Sequence, residues 1–404
     1  MKILFLCLDL TYPPSNGLTM RTWSVARALA ADGHQVHMLG FGAGGPYPRE
    51  IASLTAVPFS APSLTSAAGF TARIQSLGRG QAYSATRFTC PAMGAAVERA
   101  LASGGYDTVL ADSTYSTQNL PAKLNLPLII NTHNLEYRVL QRFAAQERHP
   151  VRRTYAALEW RWLRLWEANA LARAQLIFAC SDIDQAGIES LVPGIRCAVI
   201  PNAVSTTYYR PAPGNRFEPD TVLYTGGLDW HPNRDAVMFF ARDVMPRLRQ
   251  LVPAVRFLIA GRTPPAGFAR RLAAIPDVHY LGQVPDMRPI IAHAHMCVVP
   301  LRMGSGTRLK ILEAAAMGKA MVSTGLGAEG LDFRHGRDIL LANSADDFAR
   351  ATARVLLSRT LAARLGASAR ATVERLYSQA SLQLELRAAL DPVPRRRIEG
   401  ARAA

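Results

Sequence analysis

With 404 residues, 49% of them hydrophobic and 19% charged, the chain is long enough for two or three domains with sizeable cores and too apolar to be disordered. It has no run of about 18 uncharged apolar residues, which excludes a transmembrane helix, and its cysteines (Cys7, Cys90, Cys180, Cys197, Cys297) stand singly, so a reduced, cytoplasmic setting is expected. The net charge of +16 suits nucleic acid, an anionic membrane surface or phosphorylated substrates; zinc spacing, RNA-binding aromatic signatures and helix-turn-helix cues are all missing, so nucleic acid is set aside.

The first apolar run, residues 2–8, predicts a buried strand, because Asp9 breaks it too early for a signal peptide. In the turn TYPPSNGLT two prolines prevent helix, Gly17 permits an unusual backbone angle, and a helix is expected from Thr19 or Met20 to about Ala31. A strand follows over 35–40. The unit lacks the GxGxxG dinucleotide fingerprint. Residues 42–89 mix Gly, Pro, Ser and Ala with arginines and show no clear period. A helix over 91–103 and strands over 106–111 and 126–131 come next. The last strand runs into Asn131-Thr132-His133-Asn134-Leu135-Glu136, polar groups at a carboxyl strand end, where ligands of parallel sheets bind. His133 is therefore the catalytic candidate, the alternative being a histidine that only satisfies backbone groups.

Residues 151–173 predict one long helix with Trp162, Leu165 and Trp166 on one face and arginines mostly elsewhere. Such a face either lies in a membrane interface or packs into its own domain. Strand 176–180, a helix over 183–191 capped at Ser181-Asp182, and a strand ending at Pro201-Asn202 follow. The stretch Tyr209–Asp220, with Pro211, Pro213, Gly214 and Pro219, reads as a linker. Beyond it a strand enters Gly226-Gly227 and the helix-forming run LDWHPNRDAVMFF; further strands end at Gly261-Arg262 and at Gly282, and Asp286 caps a helix.

From Val298 the pattern is strand, the turn Gly304-Ser305-Gly306, a helix over Thr307–Met317, a left-handed cap at Gly318 and a strand over 320–323. The amides at the mouth of that helix have no internal partner and the dipole is positive there, which makes an anion site. Arg308 and Lys310 in its first turn oppose the dipole unless an anion arrives, and Glu313 is placed to accept from sugar hydroxyls. The alternative is that the two cations are solvated surface charges and Glu313 an ordinary helix former. Helices over 345–358 and 360–389 and the basic tail PVPRRRIEGARAA, able to touch anionic headgroups, complete the chain.

The segment GSGTRLKILEAAAMGKAMVSTGLGAEGL resembles the nucleotide-sugar signature of GT-B glycosyltransferases, specifically retaining family 4 and its near relatives. Glu313 matches the second glutamate of that signature, which implies a ribose contact; the first glutamate falls on Ser305, so backbone amides near Ser305 and Gly306 stand in for it, with Thr307 a further donor-nucleotide contact. Residues 131–136 resemble the HN-x-E element, whose histidine contacts the donor sugar; Asn134 and Glu136 then become donor or acceptor contacts, with Glu136 orienting His133 or steadying Arg138. The resemblance also implies that Gly17 faces the pyrophosphate and that the backbone of Gln283-Val284 frames the base, with Gly282 before it a further donor-nucleotide contact. Where the family carries an arginine and a lysine after the first strand of its second domain, this chain has Gly227, next to Gly226, and Asn233. The charge is thereby moved to Arg308 and Lys310, leaving His231, Asn233 and Arg262 as further contacts.

The fold class so implied is α/β, GT-B, two Rossmann-like domains with parallel sheets facing across a cleft. Residues 1–200 hold acceptor, 201–220 link, 221–375 hold donor, and 376–404 carry a helix crossing back plus the tail. The implied reaction moves a sugar from a UDP-, GDP- or ADP-sugar to a glycan, lipid-linked or small-molecule acceptor, with retention and with no metal or other cofactor. It would run in the cytoplasm, with peripheral contact to the anionic inner membrane face. Two alternatives stay open, a nucleotide-sugar epimerase of the same fold and an inactive sugar-nucleotide-binding protein, the latter because of Ser305, Gly227 and Asn233.

Overall fold

A computed structural model describes residues 1–60, 66–147, 149–211, 217–304 and 306–391. Ser305, the linker residues Pro213 and Gly214 and the basic tail from Pro392 lie outside the described residues. The chain divides into two compact units, Met1–Pro201 joined by the residues from Leu382 onward, and Asn202–Ser381.

The first unit contains, in chain order, β1 (Lys2–Cys7), α1 (Gly17–Ala31), β2 (Gln35–Phe41), β3 (Ser53–Val57), α2 (Ala67–Gly78), α3 (Tyr83–Thr86), α4 (Pro91–Ala102), β4 (Thr108–Asp112), β5 (Leu128–Asn131), α5 (Glu136–Gln146), α6 (Pro150–Ala172), β6 (Leu176–Ala179), α7 (Asp182–Leu191) and β7 (Cys197–Val199). Its seven strands are parallel, in the order β3-β2-β1-β4-β5-β6-β7. Helices on both faces explain why β1, β4, β5 and β6 read as nearly continuous apolar runs. Ile3, Phe5, Val109, Leu110, Ile130, Ile177 and Phe178 are fully buried.

The second unit contains β8 (Thr221–Thr225), α8 (His231–Phe239), α9 (Met245–Leu251), β9 (Arg256–Ala260), α10 (Ala266–Ala273), β10 (Val278–Gly282), α11 (Met287–His293), β11 (Met296–Val299), α12 (Leu309–Ala316), β12 (Met321–Ser323), β13 (Leu340–Leu341), α13 (Ala345–Leu356) and α14 (Arg359–Leu376); α15 (Gln379–Leu390) carries the chain into the first unit. Its sheet, also parallel, has the order β10-β9-β8-β11-β12-β13. In each sheet the order reverses once, between β1 and β4 and between β8 and β11. Loops leaving the two strands at such a point diverge to opposite faces and open a crevice at the carboxyl ends.

Four expectations need correction. Gly17 is not in an unusual conformation: it opens α1, because Asn16 caps the helix, its side chain accepting from the Thr19 amide at 3.0 Å within a reciprocal capping box. Residues 42–89 hold β3, α2 and α3; β3 is an edge strand with part-exposed side chains on both faces, so the alternation that marks a strand is blurred. The helix expected over 360–389 is two helices, α14 and α15. They part at Tyr377-Ser378, where the buried Tyr377 hydroxyl accepts from the Asp332 amide at 2.7 Å and Ser378 Oγ accepts from the Ser381 amide at 3.1 Å. Finally, α12 starts at Leu309 rather than Thr307. Arg308, in extended conformation (φ −98°, ψ 97°), is its cap residue, and Lys310 lies in the first turn.

Candidate functional site

The second unit gathers its polar groups where β8 and β11 diverge. Gly226 follows β8 at φ +151°, and a Cβ there would sit 2.7 Å from Lys310 Nζ and 3.1 Å from Asn233 Nδ2. Only glycine lets the strand end pass this close to the α12 side chains. Lys310 Nζ donates to the Tyr224 hydroxyl at 2.7 Å and to Asn233 Oδ1 at 3.3 Å; Tyr224 OH donates to Asn233 Oδ1 at 2.7 Å, and Asn233 Nδ2 to the Gly227 carbonyl at 2.8 Å. Tyr224 is fully buried and Lys310 part-buried. Burial, reinforced by the Arg308 charge, lowers the Lys310 ammonium to about 7. The groups it bonds to, Tyr224 and Asn233, are neutral, and the Glu313 charge favours its charged form.

Arg308 folds its guanidinium over the glycine turn, Nη2 lying 3.1 Å from where a Gly304 Cβ would stand. Gly306, at φ +80°, takes the left-handed conformation that turns the chain into the cap of α12. The segment leaving the first unit braces this mouth from two sides: Asn202 Nδ2 donates to Thr307 Oγ1, and Tyr209 OH donates to Glu313 Oε1 at 3.1 Å. Burial pushes Glu313 up to about 7, opposed by the Tyr209 bond and the Lys310 charge. Arg262 stands beside Gly227, paired with Asp229 at 3.0 Å, and the Gly282 carbonyl accepts from the Gly261 amide at 2.9 Å. Val284 lies part-buried in the loop after β10. His231 is exposed at the start of α8 and joins none of these contacts.

In the first unit the organising residue is one that the sequence reading passed over. Asp112 ends β4, fully buried, in register with Asn131 at the end of β5. It accepts from Asn131 Nδ2 at 2.6 Å, from His133 Nε2 at 2.9 Å and from Thr22 Oγ1 on α1. Burial pushes its carboxyl up, but the His133 charge and these bonds outweigh burial and hold it below the usual carboxylate range. With Nε2 committed to Asp112, Nδ1 is the nitrogen left for a ligand. Gly17, exposed at the first position of α1, takes no part in this group.

His133 hydrogen-bonds to Asp112, while its charge also acts on Glu136; the guanidinium of Arg138 bonds to Tyr137 OH and the Ile183 carbonyl. Glu136 shares a buried cluster with Glu167 of α6. Glu167 caps α5, accepting from the Glu136 and Tyr137 amides at 3.0 Å each and from Thr114 Oγ1 at 3.4 Å, and so ties down the turn that carries His133 and Asn134. Burial raises Glu136 to about 7; burial and then the Glu136 charge raise Glu167 to about 8. Between the ordinary carboxyl value of 4.5 and these values the folded chain holds protons that the unfolded chain releases, so stability falls as pH rises through that window. The melting temperature is expected to drop between about pH 5 and pH 8, and to drop less in a Glu167→Gln variant. Equal slopes for the two proteins would remove the carboxyl pair as the cause.

Asp112, Thr22, Glu167, Tyr224, Tyr209 and Asn202 are the site residues that sequence reasoning missed. Asp112 had one usable signal, a charged residue ending an otherwise apolar run; Tyr224 had none, being an aromatic inside a strand. Among the described residues no group of three or more His, Cys, Asp or Glu is arranged to hold a metal ion, and no helix is long and apolar enough to cross a membrane.

Two family models match the chain, Glycosyltransferase Family 4 over residues 15–208 and Glycosyl transferases group 1 over residues 219–358. No curated protein matches it. Among solved structures it is similar to sucrose-phosphate synthase from Thermosynechococcus elongatus, with 18% identity, 95% of this chain and 97% of that one covered, and a TM-score of 0.73. It is also similar to HepE of Anabaena in complex with UDP and glucose (15%, 97% and 100%, TM-score 0.66). A third is WaaG, a glycosyltransferase involved in lipopolysaccharide biosynthesis (16%, 96% and 98%, TM-score 0.63). These identities speak for the fold.

Proposed function

The chain belongs to the GT-B glycosyltransferases of family 4 type, and from that footing we propose that it transfers a sugar from a UDP-, GDP- or ADP-sugar to a glycan, lipid-linked or small-molecule acceptor, with retention and without a metal. The second unit holds the donor. Its diphosphate rests at the mouth of α12 against Lys310 and Arg308, and Glu313 accepts from the ribose hydroxyls. As the bond between the anomeric carbon and the diphosphate oxygen breaks, negative charge grows on the diphosphate, and two cations with the positive end of a helix stabilise it, a task elsewhere given to a divalent ion. The first unit carries the acceptor and His133, whose ring is held by Asp112. With retention the acceptor hydroxyl approaches on the face the diphosphate leaves, and the departing oxygen takes its proton.

One observation carries this reading: a part-buried lysine, lowered to about 7 and set among neutral oxygens, at the reversal point of a parallel sheet. The UDP and glucose bound to HepE and the involvement of WaaG in lipopolysaccharide biosynthesis support a sugar-nucleotide donor and a glycan acceptor. We place the reaction in the cytoplasm, with the protein touching the anionic inner face of the membrane, a setting its charge of +16 favours.

Thermal shift against UDP-, GDP- and ADP-sugars tests the donor. Saturation at a hundredfold over Kd adds about 2.7 kcal/mol, or roughly 5–10 °C for a unit of this size. Nucleotide release should then require acceptor and survive chelation of divalent ions. No shift with any sugar nucleotide would sink the reading, and an altered sugar nucleotide formed from donor alone would replace it with epimerisation.

A further inference from the structure

We propose that the first unit docks on an anionic membrane through the outward face of α6 and the adjoining α2, an assignment that rests on the membrane contact proposed above. The tryptophans do not form that face. Trp160, Trp162 and Trp166 pack against the core of the first unit, and Trp166 stacks on Tyr115 with ring centroids 5.7 Å apart. What α6 leaves outside is Val151, Leu158 and Leu165, which are 71%, 41% and 61% exposed. They are spaced seven residues apart, so they fall on one line, about 20 Å long at 1.5 Å per residue. Exposed Arg152, Arg153, Arg161 and Arg164 flank the line, and Arg161 lies with its guanidinium 4.7 Å from the Trp160 ring.

A second exposed apolar pair lies on α2. Phe70 and Ile74, four residues apart, are 62% and 52% exposed, and Arg73 between them lies 5.8 Å from the Tyr83 ring and 5.9 Å from the Tyr155 ring of α6. Arginines predominate on this surface; the part-exposed Glu147 stands just ahead of α6, where it accepts from the His149 amide. Residues 51–97 contain Arg73, Arg79 and Arg87 and no acidic residue. The two carboxylates of α6, Glu159 and Glu167, both point inward, at 3% and 0% exposure. A row of aliphatic and aromatic tips bordered by arginines, with the helix's own acids withdrawn, matches the interface of an anionic bilayer, where tips enter the acyl boundary and guanidinium groups meet phosphate.

The test is co-sedimentation of the full chain with vesicles of phosphatidylcholine alone and with vesicles containing phosphatidylglycerol. The wild type should sediment with the anionic vesicles and less so as salt is raised. A Leu158→Glu/Leu165→Glu variant should lose binding at least about tenfold and Phe70→Ser severalfold, while Leu251→Glu on the second unit should bind as wild type. All four proteins should keep the wild-type melting temperature and nucleotide affinity. If the wild type binds neither vesicle, the membrane contact itself is wrong. If wild type and the Leu158→Glu/Leu165→Glu variant bind alike, this face is wrong and the contact lies elsewhere. Equal binding to both vesicle types would remove the role given to the arginines.

Discussion

Turnover in an Asp112→Asn variant is expected to fall about a hundredfold while affinity for the sugar nucleotide stays within about twofold of wild type. The carboxylate accepts from three donors, Asn131, His133 and Thr22, in the interior of the first unit. An amide of the same shape has one acceptor oxygen and brings its own N–H into a place where donors already converge. The ring of His133 then loses both the charge that steadies it and the contact that keeps a proton on Nε2. A misplacement of about 1 Å at a reacting group costs on this order, whereas the groups proposed for the nucleotide lie in the second unit and do not depend on Asp112. Because Asp112 acts through His133, the Asp112→Asn/His133→Gln double variant should be no slower than the slower single variant. Losses that multiply would mean that the two residues act independently, and an unchanged kcat in the folded Asp112→Asn protein would remove its positioning role.

Lys310→Met and Arg308→Ala should each weaken sugar-nucleotide binding by about 1–3 kcal/mol, roughly 5- to 150-fold in Kd, the worth of a charge-assisted contact. Lys310 carries a pH signature as well. Its free ammonium titrates near 7, and a bound diphosphate favours the charged form, so affinity falls as pH rises above neutrality. Glu313 works in the opposite sense: raised to about 7, it becomes protonated and loses one acceptor oxygen as pH falls. Affinity for a sugar nucleotide, whose bridged diphosphate does not titrate in this range, should therefore peak near neutral pH. Lys310→Met should flatten the alkaline limb and Glu313→Gln the acid limb. Calorimetric titration across pH checks both; unchanged affinity in Lys310→Met and Arg308→Ala would remove the phosphate assignment.

Local order around α12 was legible because it rests on short-range chemistry. A strand run, a glycine turn, a helix period and Gly318, which does lie at φ +67°, follow one another within 30 residues. The same holds for the buried parallel strands, whose side chains are apolar on both faces and so announce themselves without knowledge of their neighbours. Residues 42–89 were opaque for the converse reason. The strand β3 pairs along one side only, and Ser66, the cap of α2, is one serine among many. At Tyr377-Ser378 the periodicity of two helices runs on almost in phase, and the break is made by a tyrosine hydroxyl reaching an amide 45 residues away.

By itself, then, the chain determined the α/β class and the family signature, with the segment 304–318 as the place to look for an anion, since strand pattern, turn and helix mouth are all set within a few residues. Only the tertiary structure decided that Tyr224 and Asn233 surround Lys310, that Asp112 rather than Glu136 hydrogen-bonds His133, and that the tryptophans of α6 pack on the core while Leu158 and Leu165 stay outside. Those partners come from different strands and helices and meet because sheet order reverses at β1/β4 and β8/β11. Strand order is settled by how the apolar faces of a whole unit pack, a quantity that no local stretch of residues contains.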